Sequence, residues 1–203
     1  MATQTVTPSQ ARQRLFLLII IGLFLLPPIA AWLLIGQWRP AATAHHGALL
    51  QPAQPIAHLG FRQINGGEFD ASYLRGRWTM VYIGTPLDGC GKLCRDGLYA
   101  MRQVRLALGK DMLRAQTLFL MTTVPDDSLV KWLGQEHAAL TAGVADAETL
   151  EFFGRVFADP ILLGEWIYLV DPLGNLFMRY GVETDPKGML EDLTRLLKYS
   201  RIG

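Results

Sequence analysis

Leu15 to Gly36, LFLLIIIGLFLLPPIAAWLLIG, is a run of 22 residues without a charge, and it restricts this chain more than any other segment. At about 1.5 Å per residue, a helix of this length covers the ~30 Å hydrocarbon core of a bilayer. The run is apolar all round, whereas a helix lying on a soluble core keeps one polar face. Pro27-Pro28 predicts a kink of the kind membrane helices tolerate. Trp32 and Trp38 stand toward the far end, where indoles favour the headgroup region. Arg12, Arg14 and the amino terminus precede the run and only Arg39 follows closely. That asymmetry puts the N-terminus in the cytoplasm and the remainder in the periplasm or an equivalent space. The cores of cleaved signal peptides are shorter, about 7–15 residues, so the expectation is an uncleaved, single-pass inner-membrane anchor. Residues 1–14 then form a cytoplasmic N-terminus, 15–36 the transmembrane helix, 37–54 a tether and 55–203 one folded domain.

Half of the 203 residues are apolar, enough to fill the core of such a domain. The basic residues Arg12, Arg14 and Arg39 precede all 18 acidic ones, which leaves 16 Lys and Arg for the rest of the chain. A slightly acidic exported part has no electrostatic footprint for nucleic acid. Gly-rich phosphate loops, zinc-type Cys/His spacings and internal repeats are missing from the sequence. The segment Gln37–Gln54 is rich in Pro and Ala and has no apolar period. Its His45-His46 pair, together with His58, reads as solvated histidine rather than as a metal site.

Beyond Pro55 the apolar pattern becomes regular. FRQINGGEFD (61–70) carries a turn at Asn65-Gly66-Gly67 between short extended arms, the mark of a hairpin. Trp78–Ile83 and Gln116–Val124 are β-rich runs suited to buried strands. After Lys92, Leu98, Met101, Val104 and Leu108 recur at helical spacing, leaving Arg95, Arg102 and Lys110 on the wet side. Asp127 or Ser128 is placed to cap a helix carrying Leu129, Val130 and Leu133, and a further helix is expected over Ala147–Phe157. Trp166–Val170 and Leu176–Tyr180 flank the turn Asp171-Pro-Leu-Gly-Asn175, a second hairpin. Asp185 as N-cap and Pro186 at the first helical position open the closing helix. Strands separated by helices and followed by an antiparallel pair define an α/β fold, a mixed sheet flanked by helices.

The chain has two cysteines, Cys90 and Cys94, in DGCGKLCR, where the first central strand hands over to its helix. Sites in open α/β sheets gather at such strand ends. A structural staple, a redox pair and a soft-metal clip each need two sulfurs this close. A ring closed by residues four apart contributes little loop-closure entropy, which disfavours the staple. Residues four apart on a regular helix hold their Cβ atoms about 5–6 Å apart, beyond the ~3.5–4.5 Å of a relaxed disulfide. Closure therefore requires Cys90 on the loop, with Gly89 and Gly91 lending backbone freedom. Cys90 at the helix N-terminus then reads as the attacking thiol and Cys94 as the resolving one, with Lys92 adding positive charge that favours thiolate.

In this order and spacing the segments LRGRWTMVYIG, CGKLC, TLFLMTTVPDD, LTAGVADAETLEFFG and IYLVDPLGNLF resemble the Sco/SenC family of cytochrome oxidase assembly proteins, from about Ile56 to the C-terminus. The resemblance implies a thioredoxin-like fold behind one membrane anchor, a respiratory oxidase copper subunit or other assembly factors as partners, and Cys90 and Cys94 as catalytic thiols or Cu(I) ligands. The sequence departs from the family at the prolines that usually follow each cysteine, here Gly91 and Arg95, and at the motif's acidic residue, here Lys92. The family's third copper ligand, a histidine before IYLVDP, has no counterpart in Asp159–Trp166, where Leu163 stands nearest its place. His137 lies earlier and reads as a surface histidine. Cu(I) accepts two thiolates, whereas Cu(II) wants harder donors such as imidazole. The expectation is thiol-disulfide exchange in oxidase assembly with Cu(I) delivery as a second use of the pair. Two alternatives are an assembly scaffold with a structural disulfide and a general periplasmic thiol reductase.

Overall fold

The computed structural model describes residues 8–35, 45–84, 90–156, 164–200 and 202. Two units are separated between Ala44 and His45. In the first, helix α1 (Pro8–Ile35) runs helical through Pro27 and Pro28. From Arg12 to Leu33 it is long and apolar enough to cross a membrane, and none of that window is buried.

The second unit holds one eight-stranded mixed sheet in the order β1-β8-β7-β4-β5-β6-β2-β3. Its strands are β1 (Ala48–Pro55), β2 (Phe61–Gln63), β3 (Glu68–Phe69), β4 (Trp78–Gly84), β5 (Ala115–Met121), β6 (Leu140–Ala145), β7 (Trp166–Val170) and β8 (Asn175–Gly181). The helices are α2 (Lys92–Ala107), α3 (Asp127–Glu136), α4 (Ala147–Val156) and α5 (Pro186–Tyr199). Strands β4, β5 and β6 pair in parallel, and β7, β8 and β1 continue the sheet antiparallel on one side.

Strand periodicity divides the core. In β4, Trp78, Met80 and Tyr82 join a cluster with Leu98, Met101, Leu133, Met189 and Leu193, which come from α2, α3 and α5. The alternate residues Val81 and Ile83 join a second cluster with Leu118, Leu120, Phe153 and Tyr168, with α4 supplying Phe153. Every residue of β4 and β5 is buried, as central strands covered on both faces require. Helix α2 lies close on β4: a Cβ added at Gly97 would come within 3.1 Å of the Tyr82 ring.

Both expected hairpins form, and Asp185 caps α5 through Lys187 N–H with Pro186 in its first turn. Three expectations need correction. Residues 48–54 of the expected tether belong to strand β1, paired with β8 from Ala48↔Arg179 to Pro55↔Asn175, so the folded unit begins earlier than Pro55. LTAGVA forms the additional strand β6, joined to β5 and β2. The cap of α3 is Asp126, whose carboxylate accepts from Leu129 N–H, one residue earlier than expected. Residues 36–44 of the span and tether, 85–89 of the loop before the cysteines, and 157–163 of the stretch around Leu163 lie outside the described residues.

Candidate redox site

Strand β4 delivers the chain to the cysteines and α2 carries it away. Cys90 and Cys94 are joined as a disulfide, with their Cα atoms 5.3 Å apart. Cys94 sits in the first turn of α2, whereas Cys90 precedes the N-cap residue Gly91 and has φ +65°. It is the one residue other than glycine with a positive φ among the described residues. This left-handed conformation costs a residue with a Cβ about 1–2 kcal/mol. Leaving the helical path lets a pair four residues apart close its bridge.

Arg95 reaches back to this left-handed residue. Its Nε donates to the carbonyl oxygen of Cys90 at 3.0 Å, and its guanidinium lies over the Trp132 ring of α3, 5.1 Å from the centroid. The Trp132 ring in turn meets His137 edge-on, with 4.9 Å between centroids. Arg95 is exposed, as its place on the wet side of the helix predicts, while its contacts to Cys90 and Trp132 have no sequence signature. What can be read is the arginine itself, standing directly after the second cysteine, where the resembled family has proline.

Lys92, expected to favour thiolate, is 90% exposed and pairs with Asp96 one turn on, at 2.5 Å. That hydrogen bond and charge raise the Lys92 ammonium above its ordinary pKa. The positive group bonded to the cysteine segment is therefore Arg95. Exposure also runs opposite to the assigned roles, since Cys90 is 1% exposed and Cys94 is partly exposed. A depression of about 380 Å³, lined by Cys90, Gly91, Lys92, Arg95 and Asp96, opens beside the disulfide.

The four histidines are engaged away from the cysteines. His45 Nδ1 lies 2.7 Å from Gly47 O, and His46 Nδ1 lies 3.3 Å from Asp192. His58 Nε2 meets the Asp146 carboxylate at 2.6 Å. That hydrogen bond raises the His58 pKa despite some desolvation, with the Asp146 and Glu148 charges adding to it. His46 and His58 are exposed, as solvated histidines should be, and each is also paired with a carboxylate. His137, read as a surface histidine, is buried at the C-cap of α3, and burial followed by the nearby Arg102 charge lowers its pKa. Among the described residues no group of three His, Cys, Asp or Glu side chains is arranged to hold a metal ion.

A disulfide closed where a central parallel strand meets its helix, in a mixed sheet covered on both faces, defines a thioredoxin-like α/β protein. Residues 78–200 match the family described as "Transmembrane-like, thioredoxin-like, C-terminal domain", and the chain belongs to that family. Solved structures of similar fold include Sco1/SenC proteins. Yeast Sco1 is 18% identical with a TM-score of 0.60, covering 74% of this chain and 97% of that one, and a copper-bound form of it is also similar. BsSco, a member of the Sco family of cytochrome c oxidase assembly proteins in which a disulfide switch was identified, is 12% identical (TM-score 0.57; 73% and 96% covered). A thiol:disulfide interchange protein from Bacteroides sp. is also 12% identical (TM-score 0.56; 75% and 93% covered). At these identities the likeness establishes the fold. No curated protein sequence matches the chain.

Proposed function

We propose that this protein is a membrane-anchored thiol-disulfide exchange protein that assists assembly of a respiratory copper oxidase, with Cys90 and Cys94 as its redox pair. The observation that carries the proposal is the Cys90–Cys94 disulfide closed across the first turn of α2, with Cys90 held in a left-handed conformation. Functional sites are where such backbone strain collects. In the reducing direction, one thiolate of the reduced pair attacks a client disulfide and one client sulfur leaves as thiolate. The second cysteine then attacks the mixed disulfide, closing Cys90–Cys94 and releasing the other client thiolate. Two electrons pass to the client, and a dithiol donor restores the pair.

The length and apolarity of α1 support a single-pass anchor. The basic residues before it support a cytoplasmic N-terminus and a periplasmic domain, a compartment in which disulfides persist. Similarity to Sco proteins, and to a thiol:disulfide interchange protein, supports exchange chemistry directed at oxidase assembly. Copper enters as cargo. Two thiolates of the reduced pair suit Cu(I), while the histidines a Cu(II) site would draw on are engaged with Asp192, Asp146, Trp132 and the Gly47 carbonyl.

The test pairs a cellular and an in vitro experiment. A Cys90→Ser/Cys94→Ser variant, expressed at the wild-type level, should leave the oxidase short of its copper centre; normal assembly sinks the proposal. The reduced full chain in detergent, titrated anaerobically, should take up Cu(I) through the cysteines and show no tight Cu(II) binding. A reduction potential below about −300 mV would assign the disulfide to structure instead.

A further inference from the structure

We infer that Arg95 is a positioning residue for the redox pair, one that sets the balance between disulfide and dithiol through its bond to the Cys90 carbonyl. The inference rests on the exchange reading above. Three observations meet at this side chain. Cys90 has φ +65°, Arg95 Nε donates to Cys90 O at 3.0 Å, and the guanidinium is laid over Trp132 at 5.1 Å. Cys90 and Arg95 sit on either side of the α2 N-cap, so the bond spans the point where the backbone leaves the helix. Trp132 is itself backed by His137, which fixes the platform on a different helix from the cysteines.

The consequence follows from which redox state needs the left-handed residue. Closing the bridge between residues 90 and 94 requires Cys90 off the helical path, whereas the dithiol leaves Cys90 free to relax into an ordinary conformation. An interaction that holds the left-handed form therefore favours the disulfide over the dithiol. Losing it shifts the equilibrium toward the reduced pair. The role belongs to the geometry of the guanidinium as well as its charge. Nε supplies a directed donor part-way along the side chain while the flat face lies on the indole, and lysine has neither feature.

The experiment measures the equilibrium of the full chain in detergent with a glutathione redox buffer at fixed pH, reading the Cys90–Cys94 state by mass after alkylation. Arg95→Ala should shift that equilibrium three- to tenfold toward the dithiol, with tenfold corresponding to about 30 mV. Arg95→Lys should behave like Arg95→Ala, and Trp132→Leu should shift the same way by less. A purely structural role would lower thermal stability in these variants and leave the equilibrium where it was, which overturns the inference while the wild-type pair still exchanges. Full rescue by Arg95→Lys overturns it too, because charge alone would then suffice. If the wild-type disulfide does not equilibrate with glutathione at all, the exchange reading fails and takes this inference with it.

Discussion

The carboxylate of Asp192 accepts the backbone N–H of His46 at 2.7 Å, across 146 residues of sequence. The same oxygen accepts from the Tyr180 hydroxyl at 3.0 Å and lies 3.3 Å from Gly47 N–H. Asp192 is 4% exposed, so α5, β8 and the start of the folded unit converge on one buried carboxylate.

Asp192→Asn should destabilise the folded unit by about 1–3 kcal/mol, because a buried charged acceptor is replaced by a weaker one. Burial pushes the Asp192 carboxyl up, but the hydrogen bonds from His46, Tyr180 and Gly47 outweigh it and hold the pKa below the ordinary value. The contribution is thus present above the unfolded value of about 4 and is lost as pH falls through the folded one. Urea melts between pH 3 and 7 should show that acid loss in wild type and a smaller one in the variant.

Two histidines should show pKa shifts of opposite sign. His58 has a raised pKa, so its contribution is complete below about pH 6.5 and disappears as pH rises through the folded value. The lowered pKa of His137 reverses the sign: its contribution is present above about pH 6.5 and declines as pH falls toward the folded value. NMR titration of the imidazole resonances checks both, and Asp146→Asn should bring His58 back toward the ordinary value while leaving His137 unchanged.

Tyr82→Phe should cost about 1–2 kcal/mol. The Tyr82 hydroxyl donates to Gly164 O at 2.9 Å in a buried setting, and the mutation leaves that carbonyl without its donor. Burial also pushes the phenol pKa far above its usual range, so the hydroxyl remains a donor at any pH of interest. Thermal melts of the two proteins give the difference directly.

Gly143→Ala should destabilise by about 1–3 kcal/mol, more than an exposed Gly→Ala change, because of crowding. A Cβ at that position would stand 2.6 Å from the backbone oxygen of Arg62, and a backbone atom cannot swing aside as a side-chain tip can. Faster amide exchange confined at first to the β2–β6 pairing would locate the damage; uniform exchange across the sheet would contradict it.

The exposure of the two sulfur-bearing residues predicts their order of reaction. With a small aromatic disulfide probe, the Cys90→Ser protein, which keeps the partly exposed Cys94, should react about tenfold or more faster than Cys94→Ser, which keeps the 1% exposed Cys90. The reverse ratio would restore Cys90 as the attacking thiol, the role suggested by its place before the helix.

Much of this arrangement was readable because local signals agreed with the tertiary outcome. The helical spacing of Leu98, Met101 and Val104, the alternation in β4, and the Asp185-Pro186 start of α5 each name their element without help. Strand β1 was hidden by its pattern: ALLQPAQP has two prolines and no apolar alternation, and it is a strand because β8 offers an edge. Strand β6 is short, contains Gly143 and lies between β5 and β2, partners distant in sequence. At the site, spacing identified the cysteine pair, but the Arg95–Trp132 contact joins two helices 37 positions apart and carries no local signature. His137 reads as a surface histidine from its place at a helix end, whereas it is buried beside the Trp132 ring.

The pairing of β1 with β8 decides how the folded unit can be excised. A fragment starting at Pro55, the boundary that composition suggests, would discard β1 and strip β8 of one hydrogen-bonding partner along its length. An uncovered edge strand recruits another chain, so such a fragment should self-associate through β8 and report aggregation as if it were biology. Starting at His45 keeps β1 in place together with the Asp192 fastening at His46 and Gly47. Ten residues that read as spacer thus separate a faithful soluble fragment from a sticky one.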